Sequence, residues 1–370
     1  MTSIPADRAR ALRMAALLIA PRPAQTPTPT TVEGVVTHLG AMQAQDNASG
    51  LWSLGLRLGG ATQAEVVDAL EARTVLRTWP MRGTVHLVPA RDAHWMLEVT
   101  GSKSLAGAAK RRQYLGLADA DAEKAVDVVG ESLSGGRRLT RAELLAAISD
   151  AGVPITSNLG YHLIWYASQR GVSAIAPDVD GEQTFVLLDD WVPDPVRPST
   201  DEALALLATR YFRSHGPTTR QDFQGWTGLN ATEAKRAIAG AGDALVTADL
   251  DGTEVHLDPA LLDADLPADG AVHALPGFDE YMLGYKDRSL FLDKDQFDAV
   301  VPGGNGMFRS TLVRDGRVLA TWTRSTKGKR GVVTATPLVR LTKAHRATCE
   351  KALTPWADHV GSPLEVRWES

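Results

Sequence analysis

Residues 201–257 read DEALALLATRYFRSHGPTTRQDFQGWTGLNATEAKRAIAGAGDALVTADLDGTEVHL. Leu204, Leu207, Ala208 and Tyr211 recur at helical spacing, so residues 201–214 read as a helix that ends at His215-Gly216-Pro217. Thr218 with Gln221 gives a capping-box pattern for a short second helix, and Asn230 with Glu233 opens a third. Residues 245–247 and 254–257 then flank Asp251-Gly252, a two-residue hairpin signal. Three helices followed by a hairpin is the order of a winged helix, a variant of the helix-turn-helix.

The same order recurs upstream. Over residues 121–188, Val126, Val129 and Leu133 line a first helix broken by Gly135-Gly136. Thr140 with Glu143 caps a second, Ser157 opens a third over 158–170, and residues 172–175 and 184–188 flank Asp180-Gly181. The first copy is more degenerate. Ala11, Met14, Ala15, Leu18 and Ile19 mark an amphipathic N-terminal helix, Thr30 with Glu33 caps residues 32–39, and Thr62 with Glu65 caps 64–72. Residues 75–79 and 84–88 form its hairpin. Downstream, strands flank Asp315-Gly316, residues 338–353 read as a helix and 364–368 as a final strand. The expected fold class is α+β. Three tandem winged-helix motifs occupy 1–118, 119–198 and 199–270, and a mostly β domain with one prominent hairpin occupies 271–370.

Composition narrows the function classes. A chain of 370 residues, 44% hydrophobic and 22% charged, is ordinary for several folded domains. Arg8, Arg10 and Arg13 before residues 14–20 look faintly like a secretory signal, but the apolar stretch is short and Asp7 interrupts the arginines. Cys349 is the only cysteine, so no intrachain disulfide forms and thiolate metal sites are excluded. The nine histidines show no metal-ligand spacing, and neither metal nor cofactor is expected. A cytoplasmic monomer fits these features. The net charge of −5 disfavours a polyanionic partner for the chain as a whole, yet the cations are clustered. Lys110-Arg111-Arg112, Arg137-Arg138, and Arg324 with Lys327, Lys329 and Arg330 are basic knots, and acids crowd into 243–269. Local patches decide contact with nucleic acid.

Four stretches carry a family resemblance: Met42-Gln43-Ala44-Gln45-Asp46, residues 76–88 (LRTWPMRGTVHLV), residues 211–229, and Leu275-Pro276-Gly277-Phe278-Asp279. Together they resemble the AlkZ-like winged-helix proteins, bacterial DNA glycosylases of the AlkZ/YcaQ type. The resemblance runs over essentially the whole chain. It implies a C-shaped scaffold of three winged helices around a DNA channel. It also implies hydrolysis of the N-glycosidic bond of alkylated purines, including N7-guanine interstrand crosslinks. The catalytic motif in that family is Gln-x-Gln or Gln-x-Asp, and Gln43-Ala44-Gln45 matches the first branch, associated with self-resistance to DNA-alkylating natural products. The implied partner is double-stranded DNA carrying alkylated purines or crosslinks.

Elementary chemistry bounds that implication. A carboxamide is no general base at neutral pH, but it can donate to and accept from a water and so position it. An N7-alkylguanine is already cationic and leaves readily, so placing water and stabilising an oxocarbenium-like sugar suffice. A neutral base would need protonation, which restricts the substrate to alkylated purines. Residues two apart share a face only in extended chain, so the motif is expected outside a helix, with Ala44 facing inward. The alternative is a non-catalytic winged-helix DNA-binding or regulatory protein, which has no need of Gln43 and Gln45.

Further candidates come with competing readings. Asp46 and Asp279 could support catalysis, as could Glu280, although the last two also read as turn residues after Pro276-Gly277. Arg77, Arg82 and His86 could contact phosphates or make internal bonds. Trp52 and Trp79 could stack on a displaced base or fill the core. Lys327, Lys329 and Arg330 suit phosphate contact in a glycine-containing loop. Arg314 and Arg317 flank the Asp315-Gly316 tip, which could probe a DNA groove or simply keep an edge soluble.

Overall fold

The computed structural model describes residues 1–24, 26–266, 270–327 and 330–369, without the side chains of residues 157, 326, 327 and 330. The chain groups into two compact units, Met1–Val66 with Leu204–Ser370, and Val67–Ala203.

In the first unit the 201–257 stretch folds in the order expected. The helix Thr200–His215 buries Leu204, Leu207, Ala208 and Tyr211. The helix Arg220–Thr227 follows, but its capping box is Thr219 with Asp222, one residue later than Thr218 with Gln221. Both pairs have suitable spacing; Asp222 forms the stronger box because its carboxylate accepts from the Thr219 N–H and the Thr218 and Thr219 hydroxyls. Asn230 and Glu233 cap Ala231–Ala241 as expected. Val246–Leu250 and Thr253–Leu257 pair through a turn in which Asp251 and Gly252 both have positive φ, 50° and 81°, the mirror-image turn that matches strand twist. Thr2–Ser3 adds a third, parallel strand to this hairpin. The N-terminal helix Ala6–Ala16 then buries Ala9, Leu12 and Ala16 against Ala248, Val255 and Leu257. That helix is shorter than the apolar spacing suggests, since Leu18 has φ 60° and breaks it.

The helix Val32–Leu39 is capped by Thr31, not Thr30, whose hydroxyl accepts from the Gly34 N–H. Within it His38 places Nε2 2.7 Å from the Ala16 carbonyl, and burial lowers its pKa to about 4, with the Arg22 guanidinium adding to the shift. A histidine in the unfolded chain titrates near 6.5. The unfolded state therefore binds more protons between those values, so stability is full above pH 6.5 and falls as pH drops toward 4. We expect acidification from pH 7 to 5 to cost about 2 kcal/mol through this group. His38→Gln should flatten that part of a urea-midpoint profile; an equally steep profile in the variant removes His38 as the cause.

The C-terminal region is a five-stranded sheet in the order Val272–Leu275, Ser310–Arg314, Arg317–Lys327, Arg330–Pro337, Leu364–Trp368. The first three pairs are antiparallel and the last is parallel. The parallel step needs a crossover, supplied by the helices Lys343–Ala352 and Thr354–His359. Their buried Cys349, Leu353 and Trp356 pack with Leu312, Trp322, Val333 and Trp52. Trp52 comes from the helix Asn47–Arg57, which the sequence pattern does not announce. A Cβ at Gly55 of that helix would lie 2.6 Å from His359 Nδ1 and 2.8 Å from the Ala61 carbonyl, so glycine permits the close packing there.

In the second unit five strands run in the order His86–Pro89, Val75–Thr78, Ser173–Val179, Glu182–Leu187, Arg138–Thr140. The hairpins of the first two repeats thus share one sheet, joined where Arg77 faces Ile175. The capping box of Thr140 with Glu143 starts Arg141–Asp150, and Val126, Val129 and Leu133 are buried on Asp119–Leu133. A 23-residue helix, Ala93–Leu115, lies outside the repeat pattern. Among the described residues no helix is long and apolar enough to cross a membrane.

Candidate functional site

Residues 40–46 connect Val32–Leu39 to Asn47–Arg57 without helix: Met42-Gln43 is extended, and Gln45-Asp46 bends. This is the non-helical geometry the motif requires. Ala44 is 3% exposed and packs inward, Gln43 is 9% exposed, and Gln45 is exposed.

Two adjacent carboxylates hold this segment from beneath. The Gln43 backbone N–H donates to Glu280 Oε1 at 2.9 Å. Glu280 Oε2 accepts from Trp226 Nε1 at 2.9 Å and faces His215 Nε2 at 3.4 Å. His215 is stacked on Tyr211, centroids 4.5 Å apart, so the third repeat builds an aromatic cage around the carboxylate. Asp279 receives both arms of Arg57, at 2.9 and 3.0 Å, the Ser53 hydroxyl at 2.9 Å and the Tyr281 N–H at 2.9 Å. Arg57 and Ser53 lie on the helix that Asp46 caps, so the motif is anchored at both ends. Asp279 thus stands corrected as a candidate for catalytic support. Its side chain has no exposure and its oxygens are occupied by four donors, which leaves it no route to a substrate.

Asp46 is more open. It caps Asn47–Arg57 through the Ser49 N–H at 3.2 Å and accepts from the Ser49 hydroxyl and from Arg324 Nη2 at 3.0 Å. Arg324 belongs to the strand Arg317–Lys327, so this strand reaches the residue next to Gln45. Lys327 and Arg330 are its last paired residues; Lys329 lies outside the described residues, as do the Lys327 and Arg330 side chains.

Several other candidates are placed elsewhere. Arg77 is buried in the shared sheet, where Nη2 donates to Asp178 Oδ1 at 2.6 Å and to the Ala176 carbonyl at 3.1 Å, so it is an internal ion pair and not a phosphate contact. His86 is fully buried with Nδ1 2.8 Å from the Thr84 carbonyl, which removes it as well. Arg82 is exposed. The Asp315-Gly316 tip is no free probe. Arg10 Nε donates to the Asp315 carbonyl at 3.2 Å and Tyr281 Oη to the Gly316 carbonyl at 2.6 Å, clamping the tip to its own molecule. Arg317 pairs with Asp293 at 2.8 Å, and Arg314 lies 3.6 Å from Asp315, both as partly exposed pairs. Trp52 and Trp79 are core residues, with Trp52 Nε1 donating to the Ala274 carbonyl. Sequence reasoning alone misses Arg57, His215 and Trp226, and it assigns no anchoring role to Glu280. Among the described residues no group of three or more His, Cys, Asp or Glu side chains is placed to hold a metal ion.

The family model for AlkZ-like DNA glycosylases matches residues 36–359, a span containing both glutamines and both buried carboxylates. The chain belongs to the AlkZ-like DNA glycosylase family. Its enzyme class is accordingly that of a DNA glycosylase. It is similar to the interstrand DNA cross-link repair glycosylase of Streptomyces sahachiroi, 26% identical over 316 residues, which cover 80% of this chain and 82% of the relative. The solved structure of Streptomyces sahachiroi DNA glycosylase AlkZ superposes with a TM-score of 0.80 at 22% identity, covering 100% of both chains, so the two share a fold.

Proposed function

We propose that the chain is a monofunctional DNA glycosylase that hydrolyses the N-glycosidic bond of bulky or crosslinking N7-alkylguanine adducts in duplex DNA. Self-resistance to an alkylating natural product is one setting for such an enzyme. The observation that carries the proposal is Gln45, exposed on a non-helical bend that lies between Gln43, whose N–H is held by buried Glu280, and the helix that the Asp279–Arg57 pair anchors. Rigid support of this kind suits a residue that must place one water. In the reaction, the water oxygen bonds to C1′ of the sugar as the C1′–N9 bond breaks. The bonding pair passes to the cationic purine and neutralises it, and the water, once bonded to C1′, gives its proton to bulk water. Gln43 and Gln45 position the water, and Asp46, beside them and half-exposed, supports the developing positive charge on the sugar.

Three winged-helix segments, 1–118, 119–198 and 199–270, with the domain over 271–370, supply the scaffold in this proposal. Arg82, Lys327, Lys329 and Arg330 supply phosphate contacts. The test is excision from a panel of duplexes bearing N7-alkylguanine monoadducts, crosslinks or neutral lesions, in chelator. Release of the cationic adducts alone is expected, and release of only neutral bases, or of none, overturns the assignment. Replacing Lys327, Lys329 and Arg330 with glutamine should weaken duplex binding with little sequence dependence. The salt slope should flatten by about one unit for each phosphate that is no longer neutralised. An unchanged slope assigns those side chains to solvent.

A further inference from the structure

The basic run Lys110-Arg111-Arg112 has no part in the chemistry proposed above. The structure divides it. Arg112 turns inward, its Nε donating to Asp119 Oδ1 at 2.6 Å and its guanidinium lying 4.7 Å from the Tyr166 ring. Arg111 is exposed and lines a cleft of about 380 Å³ within the Val67–Ala203 unit. The cleft lies between the helices Ala93–Leu115 and Ser157–Gln169.

Its construction is specific. Gly107 and Ala108 make a floor with almost no side chain, on the same helical face as Arg111. Tyr161 and Trp165, one turn apart on the facing helix, supply aromatic surface, and Tyr161 is 43% exposed. Arg82 enters from the turn beyond Val75–Thr78, in a left-handed conformation with φ 54°. His162 stacks on Trp165, centroids 5.4 Å apart and planes at 29°. Burial lowers its pKa, with Arg112 and Arg111 adding to the effect. Among the described residues no aspartate or glutamate lines the cleft.

We propose that this cleft is a nucleotide site, taking a nucleoside monophosphate unit with its phosphate on Arg82 and Arg111 and its base against Tyr161 and Trp165. The exposed guanidinium of Arg111, in a cleft that no carboxylate lines among the described residues, calls for an anion. Phosphate alone leaves the aromatic surface unused, and an apolar ligand leaves the guanidinium groups unused. A nucleotide uses both, and the volume falls in the range of small-ligand pockets. The unit can be an unpaired residue of a DNA strand or a free mononucleotide. The proposal is independent of Gln43 and Gln45, which lie in the other unit.

The experiment is calorimetric titration of the full chain with thymidine monophosphate, a single-stranded oligothymidylate and inorganic phosphate. Arg111→Gln and Tyr161→Ala should each weaken nucleotide binding on the order of ten-fold, whereas Tyr161→Phe should keep it. Both residues are exposed, so thermal melting of the variants should match the parent. Much tighter binding of the oligomer identifies a strand as the source, and equal binding identifies the free nucleotide; either supports the site. The proposal is overturned if neither nucleotide probe binds, if inorganic phosphate binds as well as the monophosphate, or if Arg111→Gln and Tyr161→Ala both bind like the parent.

Discussion

Gln45→Ala is expected to lower single-turnover excision of an N7-alkylguanine by a factor on the order of 10² while duplex affinity changes less than about two-fold. The side chain is exposed on a bend, so its removal costs little fold stability. In the proposed reaction, what it removes is a carboxamide that accepts from and donates to the attacking water. That interaction strengthens as the sugar becomes cationic, so the loss should appear in the rate of the chemical step and not in binding. Gln43→Ala should show a similar rate loss with a small stability cost added, because Gln43 is largely buried. Parent-like excision by both variants would falsify the catalytic assignment and favour a DNA-binding role without chemistry.

Asp279→Ala should destabilise the protein by about 3–5 kcal/mol, because it strands a buried arginine. Arg57 and Asp279 have no side-chain exposure and meet in a two-armed pair. Without the carboxylate, the guanidinium keeps only the carbonyl of Leu17 at 2.8 Å and the Ser53 carbonyl and hydroxyl at 3.1 and 2.7 Å, none of which carries charge. Replacing both partners, as Arg57→Met with Asp279→Leu, should recover much of the loss, since the uncompensated charge is then gone. Urea denaturation reads both outcomes. A single variant within about 1 kcal/mol of the parent shows that the pair contributes little and that Asn47–Arg57 is held by Trp52 and its neighbours alone.

Legibility followed punctuation. The third repeat is marked by Asn230 with Glu233 and by Asp251-Gly252, and these features act over a few residues, so their geometry is fixed locally. Where two capping patterns overlap, as at Thr218 and Thr219, local spacing is ambiguous, and the bonds of Asp222 decide it. The helix Asn47–Arg57 is hard to read because it is buried on nearly every side, and its glycines and serines blur the apolar period. In Ala93–Leu115 small and polar residues interrupt the apolar positions, with the same effect. At the candidate site it is the family resemblance that picks out Gln43 and Gln45; spacing asks only that they lie outside a helix. Nothing local could reveal that Glu280 binds the Gln43 N–H from 237 positions away, or that Arg77 is neutralised by Asp178 from 101 positions away. Those contacts are tertiary, and single-sequence patterns carry no record of them.

The Asp279-Glu280 dipeptide also bears on how such a protein can change over generations. Each carboxylate grips a different side of the glutamine segment, one through the Gln43 N–H and one through the helix that follows. Because Glu280 engages backbone, its bond to residue 43 does not depend on which side chain stands there. Arg57 and Asp279 enjoy no such freedom: either one altered alone leaves a buried charge, so they must be exchanged together or by way of a less fit intermediate. The ionic anchor beneath the bend is therefore the part locked in by epistasis, whereas the backbone hold on residue 43 places no such tie on its side chain.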